Sequence, residues 1–233
     1  MIIAILSGGL GTRLRSEVSS VPKVMAPINK KPFLEYLIEY FIYQNISSII
    51  LSVGYKKENI LNYFHDEYKN TPIIYNEEKK ALGTGGAIVS ILKQEVLYNE
   101  KSLFIINGDT FIDISLQSIK DFHQLNDMDI TIALMPMKDF DRYGSVSING
   151  NRVNSFKEKS YVASGLINAG VYLINKDIFQ NFKLPEVFSF EEFLATNVQE
   201  LKIGAFVVYD TYFIDIGVPS DYKQAQIDFK EIF

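Results

Sequence analysis

Five apolar residues, Ile2-Ile3-Ala4-Ile5-Leu6, run without a break into Ser7-Gly8-Gly9-Leu10-Gly11-Thr12-Arg13-Leu14-Arg15. The apolar run predicts a buried strand. The glycines free the backbone and let its N–H groups approach a ligand closely. A loop of this kind, opening toward a helix, is a cradle for phosphate, and Arg13 and Arg15 add charge for the same anion. The alternative is an ordinary strand-to-helix turn with surface arginines. The spacing of Gly8, Gly9 and Gly11 matches neither the Walker loop nor the dinucleotide fingerprint. No suitably placed ribose-binding acid follows either, so a hydride-transferring oxidoreductase is not expected.

Behind this loop the pattern alternates. Pro32 suits the first turn of a helix, and Phe33, Leu34, Leu37, Ile38 and Phe41 recur at helical spacing. Ile49 to Val53 predicts a strand, Glu58 to Tyr68 a helix and Ile73 to Tyr75 a further strand. Strand, helix, strand, helix, strand is the pattern of a parallel sheet with helices on its faces. Further on, Leu103 to Ile106 and Ile130 to Met135 predict strands and Ser115 to Leu125 a helix. Tyr143 to Ile148 alternates, Asn149-Gly150 marks a hairpin, and Val153 to Phe156 and Ile167 to Ile174 predict antiparallel or mixed strands. Ser189-Phe190-Glu191-Glu192 predicts a capping box with a structural role. Ala205 to Tyr209 is a further strand, and Pro219 opens a last helix. The expectation is an α/β fold with a Rossmann-like mixed, mostly parallel sheet flanked by helices. It would be a single domain over 1–233, with a nucleotide-binding half near 1–110 and an acceptor half near 111–225.

Composition narrows the chemistry. The 233 residues include no cysteine, which excludes disulfides and thiolate metal sites and fits a cytoplasmic protein. His65 and His123 are the only histidines, so any metal is expected to be a hard cation held by carboxylates. A net charge of −5 argues against a general nucleic-acid binder. No run reaches the roughly 20 apolar residues of a membrane helix, so no membrane partner is expected. The 14 Tyr and 17 Phe leave room for a homo-oligomer interface without specifying one.

Four short stretches carry candidate chemistry. Lys23 lies between Pro22 and Pro27, which predicts a stiff, extended, non-helical segment; the bland reading is a solvated lysine. Leu82-Gly83-Thr84-Gly85-Gly86-Ala87 opens a helix. It either touches a nucleotide's base or ribose, or is a helix N-terminus packed tightly on the sheet. Asn107-Gly108-Asp109 follows a strand directly, where ligands of open α/β sheets sit, although an Asx cap also fits there. Asp215 is flanked by Phe213, Ile214 and Ile216, and a buried carboxylate must be paired, hydrogen-bonded or on a metal.

Taken in order, these stretches resemble the sugar-1-phosphate nucleotidylyltransferases. Gly8 to Leu14 match the opening Gly-Gly-x-Gly-Thr-Arg-Leu, and Pro22-Lys23 the activator lysine pair. Leu82 to Gly86 match Leu-Gly-Thr-x-Gly, Asn107 to Asp109 match Asn-Gly-Asp, and Glu158-Lys159 match Glu-Lys. Asp215 to Tyr222 match Asp-Ile-Gly-x-Pro-x-Asp-Tyr. Ser7 replaces the usual alanine and Ser160 the usual proline after Glu-Lys. The runs Arg15-Ser16, Lys23 to Tyr36 and Leu51 to Lys56 resemble the D-glycero-α-D-manno-heptose 1-phosphate guanylyltransferases within the family.

The resemblance implies the nucleotide-diphospho-sugar transferase fold and transfer of a nucleotidyl group from GTP, or another nucleoside triphosphate, to a sugar 1-phosphate. Leu6, Ser7, Gly8, Gly9, Gly11, Thr12 and Arg13 would hold the triphosphate, with Glu78, Gly83, Thr84, Asn107 and Gly108 completing the nucleotide site. Arg13, Lys23 and Asp109 would be catalytic, and Asp109 and Asp215 would hold Mg²⁺. Gly144, Glu158, Lys159 and Asn168 would line the sugar-phosphate pocket. Mannose-1-phosphate guanylyl transfer and hexose-1-phosphate uridylyl or thymidylyl transfer share the phosphate and metal motifs. A non-catalytic sugar-nucleotide sensor is the reading from another class, and the presence of Lys23, Asp109 and Asp215 together argues against it.

Overall fold

A computed structural model describes residues 1–9, 14, 17, 18 and 20–233. The chain forms a mixed α/β fold that divides into two compact units. One comprises 1–81, 107–112 and 212–233; the other comprises 82–106 and 113–211. Each unit is therefore discontinuous, and the chain passes between them after Ala81, Ile106, Ile112 and Thr211.

In the first unit, strand Ile2–Leu6 pairs in parallel with Ser48–Val53, which pairs in parallel with Thr71–Glu77. Every residue of Ser48–Val53 is buried, as expected of a strand covered on both faces. Helix Phe33–Ile42 buries Phe33, Leu34, Tyr36, Leu37, Ile38 and Phe41. The helix expected to run to Tyr68 spans only Glu58–Phe64. His65 takes φ 52, outside the helical region, and Glu67–Tyr68 turns back to pair antiparallel with Thr71 and Pro72. The final helix, Pro219–Ile232, is anchored by Phe229, whose ring meets Phe33, Tyr36 and Phe111 at centroid distances of 5.8, 4.9 and 5.7 Å. Phe111 belongs to Thr110–Ile112, which pairs antiparallel with Phe213–Asp215. This aromatic cluster thus fixes the ribbon whose ends carry Asp109 and Asp215.

In the second unit, Val162–Asn175 pairs antiparallel with both Ile130–Phe140 and Ser102–Asn107. Ile203–Val207 lies parallel to Ile130–Phe140. Ser145–Asn149 and Arg152–Phe156 form the expected hairpin, with Gly150 at φ 57. The two long strands extend beyond their apolar cores because alternating residues at Pro136–Phe140 and Val162–Leu166 also fit an antiparallel ladder. Ser189 Oγ accepts the Glu192 N–H at 3.2 Å, capping helix Phe190–Thr196. Phe179, Phe182, Phe188 and Phe190 gather around Phe193.

His123 is buried on helix Leu116–Leu125. Asn175 Nδ2 faces Met128 O and donates to it, so its Oδ1, 3.1 Å from His123 Nε2, must accept. Nε2 then carries the proton and Nδ1 accepts from Thr131 Oγ1 at 2.9 Å. Burial holds this histidine below its ordinary value of 6.5, against the Asn175 hydrogen bond and the charges of Asp129 and Asp127. Between the depressed folded value and 6.5 the unfolded chain binds the extra proton. Stability is therefore expected to fall as pH drops from about 7 through that window, by at most about 1.4 kcal/mol per pH unit. Melting curves of His123→Gln should show a shallower fall; equal slopes would remove His123 as the cause.

Candidate active site

The glycine loop is described as far as Gly9; Gly11, Thr12 and Arg13, like Arg15, lie outside the described residues. What precedes them is closely built. Ser7 N–H donates to Ser52 O at 2.8 Å, and Gly108 N–H donates to Leu6 O at 3.0 Å. A side chain on Gly108 would place its Cβ 2.6 Å from Leu6 O and 3.1 Å from Ser7 Oγ, so only glycine lets Asn107-Gly108-Asp109 dock on the end of the first strand. Gly8 is similarly close to Glu78, whose Oε1 lies 2.6 Å from the position of a Gly8 Cβ. Glu78 Oε1 accepts from Ser52 Oγ at 3.1 Å, and Ser52 Oγ accepts from Asn76 Nδ2 at 3.1 Å. Ser52 and Asn76 were not foreseen. Buried polar residues on apolar strands are the signal that would have pointed to them. Among the described residues, nothing lies within 4 Å of a Cβ on Gly9.

The two prolines do not keep the Lys23 segment extended. Pro22 instead begins a single 3₁₀ turn over Lys23–Met25, closed by Met25 N–H on Pro22 O and Ala26 N–H on Lys23 O. A proline is compatible with the start of a turn because its fixed φ suits that position and its missing N–H is not needed there. The final helix holds the sequel of this turn: Gln226 Nε2 and Tyr222 OH both donate to Pro27 O at 2.7 Å.

Lys23 meets two carboxylates drawn from 86 and 192 residues away. Its Nζ donates to Asp109 Oδ2 at 2.6 Å and approaches Asp215 Oδ1 at 3.5 Å. Ile216 N–H donates to Asp109 O, and Gly217 N–H donates to Asp215 Oδ1 at 2.7 Å, fixing the acids relative to one another. Burial, and then the charge of Asp109, raises the Asp215 carboxyl above its ordinary value; Lys23 and the Gly217 N–H pull the other way. The pair therefore attracts positive charge, and the Lys23 ammonium stands where a cation is favoured. Mg²⁺ takes one or two carboxylates and completes its shell with water and phosphate oxygens, so this donor set fits it.

In the second unit the expected sugar-side residues gather at one end of neighbouring strands. Ser145 pairs with Ile167, and Lys157 N–H donates to Ser145 O at 2.8 Å. Gly144, Glu158 and Asn168 are the chain neighbours of those three residues. A Cβ on Gly144 would meet Lys157 O at 2.6 Å. Glu158 and Lys159 are exposed. Asn168 Nδ2 donates to Tyr172 OH at 2.7 Å. The Gly83–Gly86 turn packs tightly, but against the 186–188 segment rather than a sheet. Cβ atoms on Gly83, Gly85 and Gly86 would fall 2.4 Å from Phe188 O, 2.1 Å from the Phe188 ring and 2.5 Å from Glu186 O. Thr84 Oγ1 donates to Glu191 Oε2 at 2.8 Å.

No helix among the described residues is long and apolar enough to cross a membrane. The chain is 52% identical to the D-glycero-alpha-D-manno-heptose 1-phosphate guanylyltransferase of Campylobacter jejuni over 219 residues, covering 94% of this chain and 95% of that protein. The enzyme of the same name from Aneurinibacillus thermoaerophilus is 48% identical over 223 residues, 95% of each chain. The crystal structure of HddC from Yersinia pseudotuberculosis complexed with GMP-PN superposes with a TM-score of 0.84 at 36% identity, covering 98% of this chain and 99% of that one. The family model for nucleotidyl transferases matches residues 3–231, nearly the whole chain. With the glycine loop, the lysine and the paired acids all falling inside that match, the chain belongs to the nucleotidyl transferase family.

Proposed function

We propose that the chain transfers guanylate from GTP to D-glycero-α-D-manno-heptose 1-phosphate, giving GDP-heptose and pyrophosphate. The convergence of Lys23, Asp109 and Asp215 carries the reading: one ammonium and two acids suited to a magnesium ion gather beside the end of the first strand. The names of the relatives at 52% and 48% identity support the choice of substrates. The dependence on a nucleoside triphosphate fits a cytoplasmic enzyme.

An oxygen of the sugar phosphate attacks the α-phosphorus of GTP, and the bond from that phosphorus to the bridging oxygen of pyrophosphate breaks. The attacking oxygen is already ionised, so no protein base or covalent intermediate is required. The barrier is repulsion and alignment of two anions, which positioning and charge neutralisation lower. The backbone amides of Gly8 to Thr12 hold the triphosphate, with Leu6, Ser7, Asn107 and Gly108 lining the nucleotide site. Arg13 neutralises the departing pyrophosphate. Lys23 neutralises the α-phosphate and the incoming phosphate. Asp109 and Asp215 hold Mg²⁺, which when bound supplies positive charge to phosphate oxygens. Glu78, held by Ser52, accepts from the N1–H and N2–H₂ of guanine, and Gly83 and Thr84 are further nucleotide contacts. Gly144, Glu158, Lys159 and Asn168 bind the sugar phosphate.

Pyrophosphate release from a panel of nucleoside triphosphates against sugar 1-phosphates, with magnesium present, tests the reading. GTP with the heptose phosphate is expected to give the highest kcat/KM. A higher value with mannose 1-phosphate or with UTP or dTTP would overturn the substrate assignment. Absence of turnover with every pair would favour a sugar-nucleotide sensor.

A further inference from the structure

We propose that Glu191 is a positioning residue that orients Asn168 through Tyr172 and, with the same carboxylate, fixes the start of helix Gly83–Ile91. The proposal rests on the reading of Asn168 as a sugar contact and of Gly83 and Thr84 as nucleotide contacts.

Glu191 is surrounded by hydroxyl donors. Oε2 accepts from Thr84 Oγ1 at 2.8 Å and from Ser189 Oγ at 3.0 Å, and Oε1 accepts from Tyr172 OH at a longer 3.4 Å. The N-cap bond needs only Ser189 Oγ and the Glu192 N–H, and it is made without the Glu191 side chain. Its carboxylate reaches instead across 107 residues to Thr84 and 19 to Tyr172.

The consequence lies in hydrogen-bond polarity. Tyr172 is fully buried, with its ring against Phe190 at 5.3 Å. A phenol has one proton, and an ionised carboxylate can only accept. Because Tyr172 gives its proton to Glu191, its oxygen can only accept from Asn168. Asn168 must then turn Nδ2 toward Tyr172, at 2.7 Å, and its Oδ1 accepts the Gly170 N–H at 3.0 Å. This fixes which end of the amide is donor and which is acceptor, leaving one N–H and one lone pair in set directions for a substrate hydroxyl. Without the carboxylate, Tyr172 could donate as readily as accept, and the Gly170 N–H alone would hold the amide in this orientation. Asn168 also stands at the register shift between Asn168 and Tyr172, with Gly170 at φ 75, so its amide is held by the Gly170 N–H on one side and Tyr172 on the other.

The other arm of Glu191 acts on the helix start. Thr84 Oγ1 gives its proton to Glu191 and accepts the Phe190 N–H at 2.8 Å. Gly85 N–H donates to Phe188 O, and Phe188 N–H donates to Leu82 O. Tyr172→Phe should break only the arm to Asn168, whereas Glu191→Gln disturbs both, because one end of its amide becomes a donor.

Steady-state kinetics on whichever nucleotide and sugar phosphate pair the wild-type enzyme turns over best provide the test. Tyr172→Phe should raise KM for the sugar phosphate about tenfold and leave KM for the nucleotide within about twofold; Glu191→Gln should raise both. The ¹⁵N resonances of the Asn168 side-chain amide give a readout independent of turnover, and both substitutions should shift them. Unchanged amide resonances in Glu191→Gln, or a sugar-phosphate KM within twofold of wild type in both variants, would overturn the proposal. So would equal rises in both KM values of Tyr172→Phe, accompanied by a lower melting temperature, which mark a packing role alone. Failure of the wild type to use GTP with the heptose phosphate would overturn the substrate assignment and leave these outcomes readable.

Discussion

Lys23→Ala is expected to lower kcat/KM by about 10²–10³-fold, equivalent to about 2.7–4 kcal/mol of transition-state stabilisation, in a protein that still folds. The ammonium is largely covered and lies 2.6 Å from Asp109, so no solvent cation takes its place in a fixed position. Folding should survive because the turn that carries Lys23 is held by backbone hydrogen bonds and by the final helix, not by the ammonium. Asp215, already raised by burial and by Asp109, can take up a proton when the ammonium is lost. Lys23→Arg should be almost as damaging. Nζ lies only 3.0 Å from where a Gly217 Cβ would be, too little room for a planar fork in place of a point charge. Single-turnover rates with saturating magnesium, beside melting curves, check both variants. Lys23→Ala turning over within about tenfold of wild type would remove Lys23 from the chemistry.

Local pattern carried the elements but not the distances between them. Ile2–Leu6 and Ser48–Val53 were legible because a strand covered on both faces writes itself as an apolar run, whereas only Ile73 to Tyr75 of Thr71–Glu77 was, because its ends are polar and its burial is uneven. Boundaries failed where backbone conformation overrode periodicity: His65 at φ 52 ends a helix whose apolar spacing continues to Tyr68, and Pro22 starts a turn where two prolines implied extension. At the site, Asp109 and Asp215 could be singled out one at a time, by a strand end and by apolar neighbours. That one ammonium lies against both depends on the Phe111–Phe229 cluster and the Thr110–Ile112 ribbon, whose partners are about a hundred residues away. Glu191 shows the limit most clearly. Its place after the Ser189 N-cap was visible, yet its carboxylate serves residues remote in sequence, and nothing in a single chain marks that pairing.

The same distinction explains why one glycine of the second turn should matter more to stability than any in the first hairpin. Gly83→Ala is expected to cost about 2–4 kcal/mol. Gly83 sits at φ 71, where an L side chain costs about 1–2 kcal/mol by itself. Its new Cβ would also lie 2.4 Å from Phe188 O and 3.0 Å from Phe188 C. That carbonyl cannot retreat freely: it accepts from Gly85 N–H, and the same residue's N–H donates to Leu82 O. Gly150 provides the control, because it shares a positive φ of 57 but has nothing within 4 Å of its Cβ position. Gly150→Ala should therefore show the conformational cost alone, about 1 kcal/mol. For a chain of this length, the Gly83→Ala melting temperature should fall by about 5–15 °C, and that of Gly150→Ala by a few degrees. Equal losses in the two variants would mean that the Phe188 segment yields and that strain at φ is the whole effect. A Gly83→Ala protein that melts at the wild-type temperature would mean that the helix start can be rebuilt without its contact to Phe188.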